Sequence, residues 1–157
     1  MKPSVYIETS VVSYLTSRPS RDLVVAGHQQ ITREWWERIL PIIRPVISEF
    51  VIDESSMGDS GSAALRLGSI DGFKVLEVNS EIETLAEKYF SAINIPERSR
   101  IDASHLAVAA WHGVDYVLSW NCKHIASARV QRILEDLNRE LAIITPTVCT
   151  PEELMEV

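Results

Sequence analysis

The sequence has few cysteines, no long apolar run and no sign of a leader, and each shortage excludes a class of protein. Its two cysteines, Cys122 and Cys149, form neither the close pairs of a zinc site nor a disulfide framework. The longest apolar run, Leu106 to Trp111, is far shorter than the roughly 20 residues of a membrane span. Glu8 interrupts the apolar N-terminal stretch, and no small-residue cleavage site follows. We therefore expect a cytoplasmic protein without a membrane partner.

Glycine motifs and excess positive charge are missing as well. The six glycines form no Gly-rich phosphate loop and no Gly-x-Ser-x-Gly elbow, so nucleotide-binding and serine-hydrolase functions have no support. Acidic residues outnumber basic ones by 22 to 15, which gives a formal net charge of −7. Binding of nucleic acid through overall charge is disfavoured, although a local basic patch is compatible with this balance.

The length and composition of the chain are typical of one soluble globular domain. The 157 residues are 46% hydrophobic and 24% charged, which permits a sizeable core and makes wholesale disorder improbable. No repeat or low-complexity tract divides the chain. We expect a single domain that spans residues 1–157.

Short β-rich runs alternate with longer helical patterns along the chain. The predicted strands are Ser4–Ile7, Val46–Ile47, Phe73–Val78, Tyr116–Ser119 and Ala142–Ile144. The predicted helices are Thr9–Thr16, Asp22–Leu40, Glu49–Met57, Ala63–Ile70, Ser80–Ile93, Ile101–His112, His124–Arg139 and a short one from Pro151, with Asp22, Ser48 and Ser80 as caps and Glu83 completing a capping box. This alternation predicts an α/β fold with a parallel sheet, whose functional groups gather beyond the carboxyl ends of the strands.

Four polar residues stand out under that rule. Glu8 follows the first strand, and Asn121 follows the fourth. Glu54 interrupts an apolar helix, and Asp102 opens a helix of small residues. Each has an ordinary alternative: Asp102 as a helix cap, Glu8 as an acid facing a helix dipole, Glu54 as a solvated charge and Asn121 as a turn residue.

The segments around these four residues resemble the PIN domain family. The acid-Thr-Ser run that begins at Glu8 resembles the opening of a PIN domain, and Ile47-Ser48 followed by Glu54 and Gly58 resembles its second acidic segment. Asp102-Ala103-x-x-Leu106-Ala107 resembles the third segment, and the stretch from Val114 to His124 resembles the fourth. The four segments occur in the family's order over nearly the whole chain.

The resemblance implies a three-layer α/β/α sandwich, with a parallel sheet of about five strands, that works as a metal-dependent ribonuclease. Glu8 and Asp102 would be the main ligands of Mg²⁺ or Mn²⁺, and Asn121 a neutral ligand or hydrogen-bond partner. Glu54 would bind the metal through water or orient the attacking water. The hydroxyls of Ser10 and Ser119 would orient the acids. Many relatives are VapC-type toxins, so an antitoxin partner and a homodimer are also implied.

Two positions depart from the family pattern. Many PIN domains have Asp where this chain has Glu8, and an acid where it has Asn121, which removes one negative charge from the site. These departures favour an alternative, in which a PIN-like fold with a weakened site serves as an RNA-binding or protein-interaction module. A phospho-acceptor signalling domain is a weaker alternative, because its paired acids and downstream lysine are not evident.

Several further residues have both a functional and an ordinary interpretation. A basic rim around the site could hold RNA phosphates, or it could be solvated surface charge; its members are Arg98, Arg100, Lys123 and His124, with Arg18 and Arg21 farther away. His105 shares a helix face with Asp102, where a hydrogen-bonded histidine at the edge of the core is favoured over a metal ligand. Trp35 and Trp36 point in different directions on one helix, so at least one of them should meet the core.

Overall fold

The computed structural model describes all 157 residues, and its five strands form one parallel sheet. The strands are β1 (Ser4–Ile7), β2 (Arg44–Ser48), β3 (Lys74–Leu76), β4 (Tyr116–Leu118) and β5 (Thr147–Cys149). Their order in the sheet is β3-β2-β1-β4-β5, and every neighbouring pair is parallel. The predicted α/β sandwich with five parallel strands is therefore confirmed.

Seven α-helices accompany the sheet. They are α1 (Thr9–Thr16), α2 (Leu23–Arg38), α3 (Glu49–Ser55), α4 (Ser60–Ser69), α5 (Ser80–Ile93), α6 (Arg100–Trp111) and α7 (Ala128–Leu141), with two 3-10 turns at Leu40–Ile42 and Glu97–Ser99. Helix α1 contacts α2, α3 and α4, while α5 contacts both α6 and α7. No helix has the length and apolar character needed to cross a membrane.

The order of the strands reverses beside β1. From β1 the chain moves to β2 and β3 on one side, and it then crosses back to place β4 and β5 on the other side. In open parallel sheets, ligands bind beyond the carboxyl ends of the strands at such a reversal. The ends of β1 and β4, at Ile7 and Leu118, are therefore the expected location of a site, and these two residues are paired in the sheet.

The central elements are buried on every side, which explains their composition. Val5, Tyr6 and Ile7 of β1 have no exposed surface, as expected of a central strand in a parallel sheet. Helix α6 is buried along almost its whole length, and its alanines allow α5 to pack closely against it. A helix that is apolar around most of its surface belongs in a core. Trp35 of α2 is also fully buried, and its indole N–H donates to the Leu154 carbonyl, so one of the two adjacent tryptophans does meet the core.

The caps agree with the sequence at two helices and differ at a third. The side chains of Asp22 and Ser48 accept backbone N–H groups at the starts of α2 and α3, as predicted. Helix α5 is capped by Asn79 instead of Ser80, since the Asn79 side chain accepts from Ile82 N–H. The predicted box between Ser80 and Glu83 is not formed, because Ser80 is already the first helical residue.

The C-terminal third contains the larger errors of the sequence prediction. Helix α7 begins at Ala128, four residues after the predicted His124, because residues 124–127 turn sharply and Ser127 caps the helix. The predicted strand Ala142–Ile144 is wrong, since Ala142 ends the helix with a left-handed conformation at φ 56°. The last strand is Thr147–Cys149, and the residues from Pro151 form turns, not a helix.

A carboxylate joins the amino ends of the two strands that flank the strand-order reversal. Asp115, just before β4, accepts hydrogen bonds from the backbone N–H of Ser4 at 2.8 Å and from its hydroxyl at 2.9 Å. The Ser4 hydroxyl in turn accepts from the Asp115 N–H. The bonds from Ser4 hold the pKa of Asp115 below its ordinary value. Since the depressed pKa belongs to the folded state, the charged carboxylate stabilises the fold.

Replacing Asp115 by Ala should lower the free energy of unfolding by about 1 kcal/mol at neutral pH. The deficit should be full above the ordinary pKa of 3.8 and should shrink as the pH falls below it, because the wild-type carboxylate then loses its charge. Guanidinium unfolding between pH 3 and pH 7 measures both effects. Asp71→Ala, at an exposed turn, is the matched control and should change stability little at any pH. A deficit that stays constant across this range would contradict the assignment.

Candidate metal centre

Glu8 is held at the junction of β1 and β4 by three hydrogen bonds. It caps α1, and its carboxylate accepts from the Ser10 N–H at 3.0 Å. The hydroxyls of Ser10 and Ser119 both donate to Oε1, the first at 2.5 Å. The backbone N–H of Glu8 donates to the Leu118 carbonyl, which extends the sheet by one bond. Glu8 is therefore both a helix-start acid and a strand-end carboxylate, and only 5% of its surface is exposed.

Glu54 approaches the same place from α3. Its Oε1 accepts from the Thr9 hydroxyl at 2.7 Å and pairs with His105 Nε2 at 2.6 Å. The Glu54 side chain is 25% exposed, and its Oε2 accepts no hydrogen bond from the protein. Burial alone would raise the pKa of Glu54, but the bonds from His105 and Thr9 outweigh it and lower that pKa.

His105 lies behind Glu54 with no exposed surface. Its Nδ1 is 2.7 Å from the Tyr6 hydroxyl, which is 2.7 Å from the Ser48 hydroxyl. Burial alone would lower the pKa of His105, but the bond to Glu54 and the nearby negative charges outweigh it and raise that pKa. Burial also raises the pKa of Tyr6, so its hydroxyl keeps its proton. His105 is the hydrogen-bonded core-edge histidine that the sequence favoured.

Asp102 lies in the first turn of α6 but does not cap it. Its Oδ2 accepts from Asn121 Nδ2 at 3.1 Å and lies 3.0 Å from His124 Nδ1. Asn121 Oδ1 accepts from the His124 N–H, so Asn121 stabilises its own turn and also binds Asp102. The carboxylate therefore turns towards the end of β4. Asp102 is mostly buried, with 13% of its side chain exposed.

The structure brings some of the predicted residues closer together than others. One oxygen or nitrogen from each of Glu8, Glu54 and His105 lies within 4.8 Å of the others. Asp102 is outside this group, although its negative charge helps to raise the pKa of His105. Ser10 and Ser119 bond Glu8, and Asn121 bonds Asp102. The four predicted polar positions thus converge on the strand-order reversal in two hydrogen-bonded clusters.

The oxygens left over suit a hard divalent cation. Glu54 Oε2 and Asp102 Oδ1 accept no hydrogen bond from the protein, and Glu8 Oε2 accepts only one. Carboxylate oxygens are the ligands that Mg²⁺ and Mn²⁺ prefer. Both ring nitrogens of His105 are already engaged, so the imidazole orients Glu54 and is not an open ligand. The residues present therefore fit a magnesium or manganese ion.

Sequence reasoning missed three contributors to this centre. Tyr6, Ser48 and Thr9 connect or support Glu54 and His105, yet each is separated from its partner by more than 40 residues. Thr9 belongs to the acid-Thr-Ser run that begins at Glu8, so the sequence contains a motif that marks this position. The roles of Tyr6 and Ser48 depend on how α6 lies across the sheet, and no local pattern reports that.

The predicted basic rim divides into engaged and free side chains. Arg100 forms ion pairs with Glu87 and Glu97 and covers the Phe90 ring at 3.9 Å, so its guanidinium is committed to α5 and the adjoining turn. His124 is bound to Asp102. Arg98 and Lys123 are exposed and form no ion pair.

No family model matches the chain, and no curated protein matches it either. Among solved structures, the chain is similar to VapC20 of Mycobacterium tuberculosis, described as a toxin that cleaves the sarcin-ricin loop. The two share 16% sequence identity with a TM-score of 0.59, over 76% of this chain and 92% of the other. At this identity the likeness concerns the fold, and it supports the PIN-like architecture inferred from the sequence.

Mn²⁺ should raise the melting temperature of the protein above its value in EDTA, because an ion that binds only the folded state stabilises it. Glu54→Gln should lose part of this rise, because it removes one negative charge from the centre. The glutamine oxygen can keep the bonds to Thr9 and His105, while its amide replaces the free Oε2. Asp53→Asn, an exposed neighbour on α3, is the matched control and should respond as the wild type does. An unchanged rise in Glu54→Gln would remove Glu54 from the centre.

Tyr6→Phe should lower the free energy of unfolding by about 1–3 kcal/mol, because it leaves the buried His105 Nδ1 and the Ser48 hydroxyl without their partner. Urea unfolding in EDTA measures this cost without metal. Tyr116→Phe removes a hydroxyl that makes no hydrogen bond within the protein, and it should be nearly neutral. Equal stability of the Tyr6→Phe variant and the wild type would show that the buried hydrogen-bond chain contributes nothing.

Proposed function

We propose that this chain is a metal-dependent endoribonuclease that hydrolyses phosphodiester bonds of RNA. The observation that carries the proposal is the close approach of Glu8 and Glu54, with Asp102 bonded to Asn121 just after the strand end that binds Glu8, and with carboxylate oxygens left free of protein hydrogen bonds. The buried carboxylates of Glu8 and Asp102 and the partly buried one of Glu54 repel one another, and a cation relieves that repulsion. A centre of this composition is suited to hydrolysis at phosphate.

Glu8 and Asp102 would hold Mg²⁺ or Mn²⁺, with Asn121 as a neutral oxygen ligand or as the group that orients Asp102. Such an ion supplies an acidified water and stabilises negative charge on the phosphate. The Ser10 and Ser119 hydroxyls fix the Glu8 carboxylate, so it needs little rearrangement to bind.

Glu54 is the residue best placed to orient the attacking water. Its Oε1 is held by Thr9 and His105, which leaves Oε2 without a hydrogen-bond partner in a side chain that is 25% exposed. Because its pKa is lowered, Glu54 is charged at neutral pH and can accept a hydrogen bond from water. His105 is a positioning residue in this scheme, since it acts through Glu54.

Three observations favour RNA as the substrate and a toxin as the biological role. VapC20, a solved structure to which the chain is similar, is described as a toxin that cleaves the sarcin-ricin loop. Arg98 and Lys123 are free of ion pairs and could bind phosphates despite the net charge of −7. Many members of the PIN family, which four segments of the chain resemble, are VapC-type toxins. We therefore include an antitoxin as partner, a homodimer as assembly and the cytoplasm as location in the proposal.

One observation favours the alternative of a PIN-like module with a weakened site. Asn121 contributes no charge, and with His124 it already occupies one oxygen of Asp102. A centre with fewer free carboxylate oxygens binds metal more weakly. Such a protein would retain RNA or protein binding without cleavage.

The test is cleavage of a mixed RNA pool in Mn²⁺ or Mg²⁺, with EDTA as the blank. Asp102→Asn should lower the cleavage rate about 100-fold or more, because the amide removes the free oxygen Oδ1 and the charge. Asp53→Asn should cleave at the wild-type rate. Calorimetric titration of Mn²⁺ into the same variants shows whether lost activity accompanies lost binding. Undiminished cleavage by Asp102→Asn would exclude this site, and no cleavage by wild type that binds RNA would favour the alternative.

A further inference from the structure

Three aromatic side chains from different elements share nearly one orientation beside the acidic centre. Tyr14 lies on α1, His28 on α2, and Trp120 follows β4. The His28 and Trp120 rings stack with centroids 4.0 Å apart and planes inclined by 12°. The Tyr14 ring lies about equally far from both, at 6.2 and 6.1 Å, with inclinations of 23° and 24°. We call these three residues the aromatic cluster.

The aromatic cluster is joined directly to the metal centre through Trp120. Its backbone N–H donates to the Ser10 hydroxyl at 2.8 Å, and that hydroxyl donates to Glu8. The two residues that flank Trp120 in the chain bind Glu8 and Asp102, respectively. The indole N–H donates to the Thr32 hydroxyl at 2.7 Å, which fixes the ring. Trp120 therefore belongs to the same turn as the residues that orient Glu8 and Asp102.

The outer part of the cluster has polar groups without partners. Trp120 is buried, whereas Tyr14 and His28 are both partly exposed. The Tyr14 hydroxyl and both ring nitrogens of His28 make no hydrogen bond within the protein. Packing of α1 on α2 would need only apolar rings. Aromatic faces with free donors and acceptors at their edges are suited to a nucleobase, which stacks and hydrogen-bonds at once.

The loop between α1 and α2, which joins the helices of Tyr14 and His28, carries two unpaired arginines. The Gln29 side chain donates to the Arg18 carbonyl and accepts from the Ser20 N–H, both at 3.0 Å, so the loop is fixed beside His28. Arg18 and Arg21 are exposed and form no ion pair. In a chain with a net charge of −7, two unpaired arginines on the loop between the helices that carry Tyr14 and His28 favour a phosphate-bearing ligand.

We propose that the aromatic cluster is a nucleobase-binding subsite. One base of a single-stranded RNA stacks on the exposed rings of Tyr14 and His28, and Arg18 and Arg21 bind the adjoining phosphates. This subsite would select unpaired RNA and place the neighbouring phosphate at the carboxylates. As a subsite for substrate it rests on the proposed nuclease function, but base binding itself can be measured without cleavage.

The test is fluorescence anisotropy of a labelled single-stranded RNA hexamer of mixed sequence, in EDTA to prevent cleavage. His28→Ala and Tyr14→Ala should each weaken binding about fivefold or more, the loss expected for one stacked base. Wild type should bind an abasic hexamer with the same number of phosphates more weakly than the normal hexamer. The difference between the two hexamers should be smaller in each variant, which keeps only one of the two rings. Tyr14→Phe, which keeps the ring, should retain most of the affinity.

Trp111→Ala is the matched control. Trp111 is an exposed aromatic residue at the other end of α6, roughly 14 Å along the helix from Asp102, and its loss should leave binding unchanged. Melting temperatures of all variants show whether each is folded at the assay temperature. Variants that are folded and bind as tightly as wild type would overturn the subsite and assign the cluster to packing.

The outcomes separate this inference from the proposed function. Tight binding of the normal hexamer that depends on Tyr14 and His28 supports the subsite even if no RNA is cleaved. Equal affinity for the normal and abasic hexamers overturns the subsite, and so does the absence of any RNA binding. Metal-dependent cleavage in either of those cases would leave the nuclease proposal intact.

Discussion

Burial of the Glu8 carboxylate at the junction of β1 and β4 is the constraint on which the site depends. A buried carboxylate is costly unless hydrogen bonds replace its water. The chain provides them locally, through the first turn of α1, and at long range, through Ser119 at the end of β4. The same Ser10 hydroxyl then fixes the backbone of Trp120. One acid thus determines where α1 begins, how the turn after β4 is shaped and where the aromatic cluster lies.

The carboxylate of Glu54 is stabilised by a different set of contacts. Glu54 pairs with a histidine that has no contact with water, and the histidine is supported in turn by a tyrosine and a serine. The raised pKa of His105 and the lowered pKa of Glu54 both favour the charged pair. Positive charge beneath the acids offsets part of their repulsion before any ion binds. This arrangement keeps Glu54 in place while leaving its outer oxygen free.

Much of the fold was predictable because its signals are local. A buried apolar run identified β1, and the caps Asp22 and Ser48 marked the starts of two helices. The last strand was missed because Ala142–Ile144 is as apolar as a strand, while the true strand is defined by tertiary bonds such as that from Val148 N–H to Gln131. The rule that functional groups gather beyond the carboxyl ends of parallel strands pointed to Glu8 and Asn121. It could not locate Tyr6 and His105, since residues 99 positions apart meet only after α6 has packed on the sheet.

Strands β1 and β4 are joined by side-chain hydrogen bonds at both ends. Ser4 donates to the Asp115 carboxylate at one end, and the Ser119 hydroxyl donates to Glu8 at the other, each across a separation of 111 residues. Contacts of such long range form slowly, because a large loop must close first. During synthesis β1 therefore emerges from the ribosome long before its partner strand exists. Until residue 119 and the following turn have left the exit tunnel, neither the bond from Ser119 to Glu8 nor that from Asn121 to Asp102 can form. A nascent chain thus carries all three acids of this site before Ser119 has reached Glu8 and before Asn121 has reached Asp102.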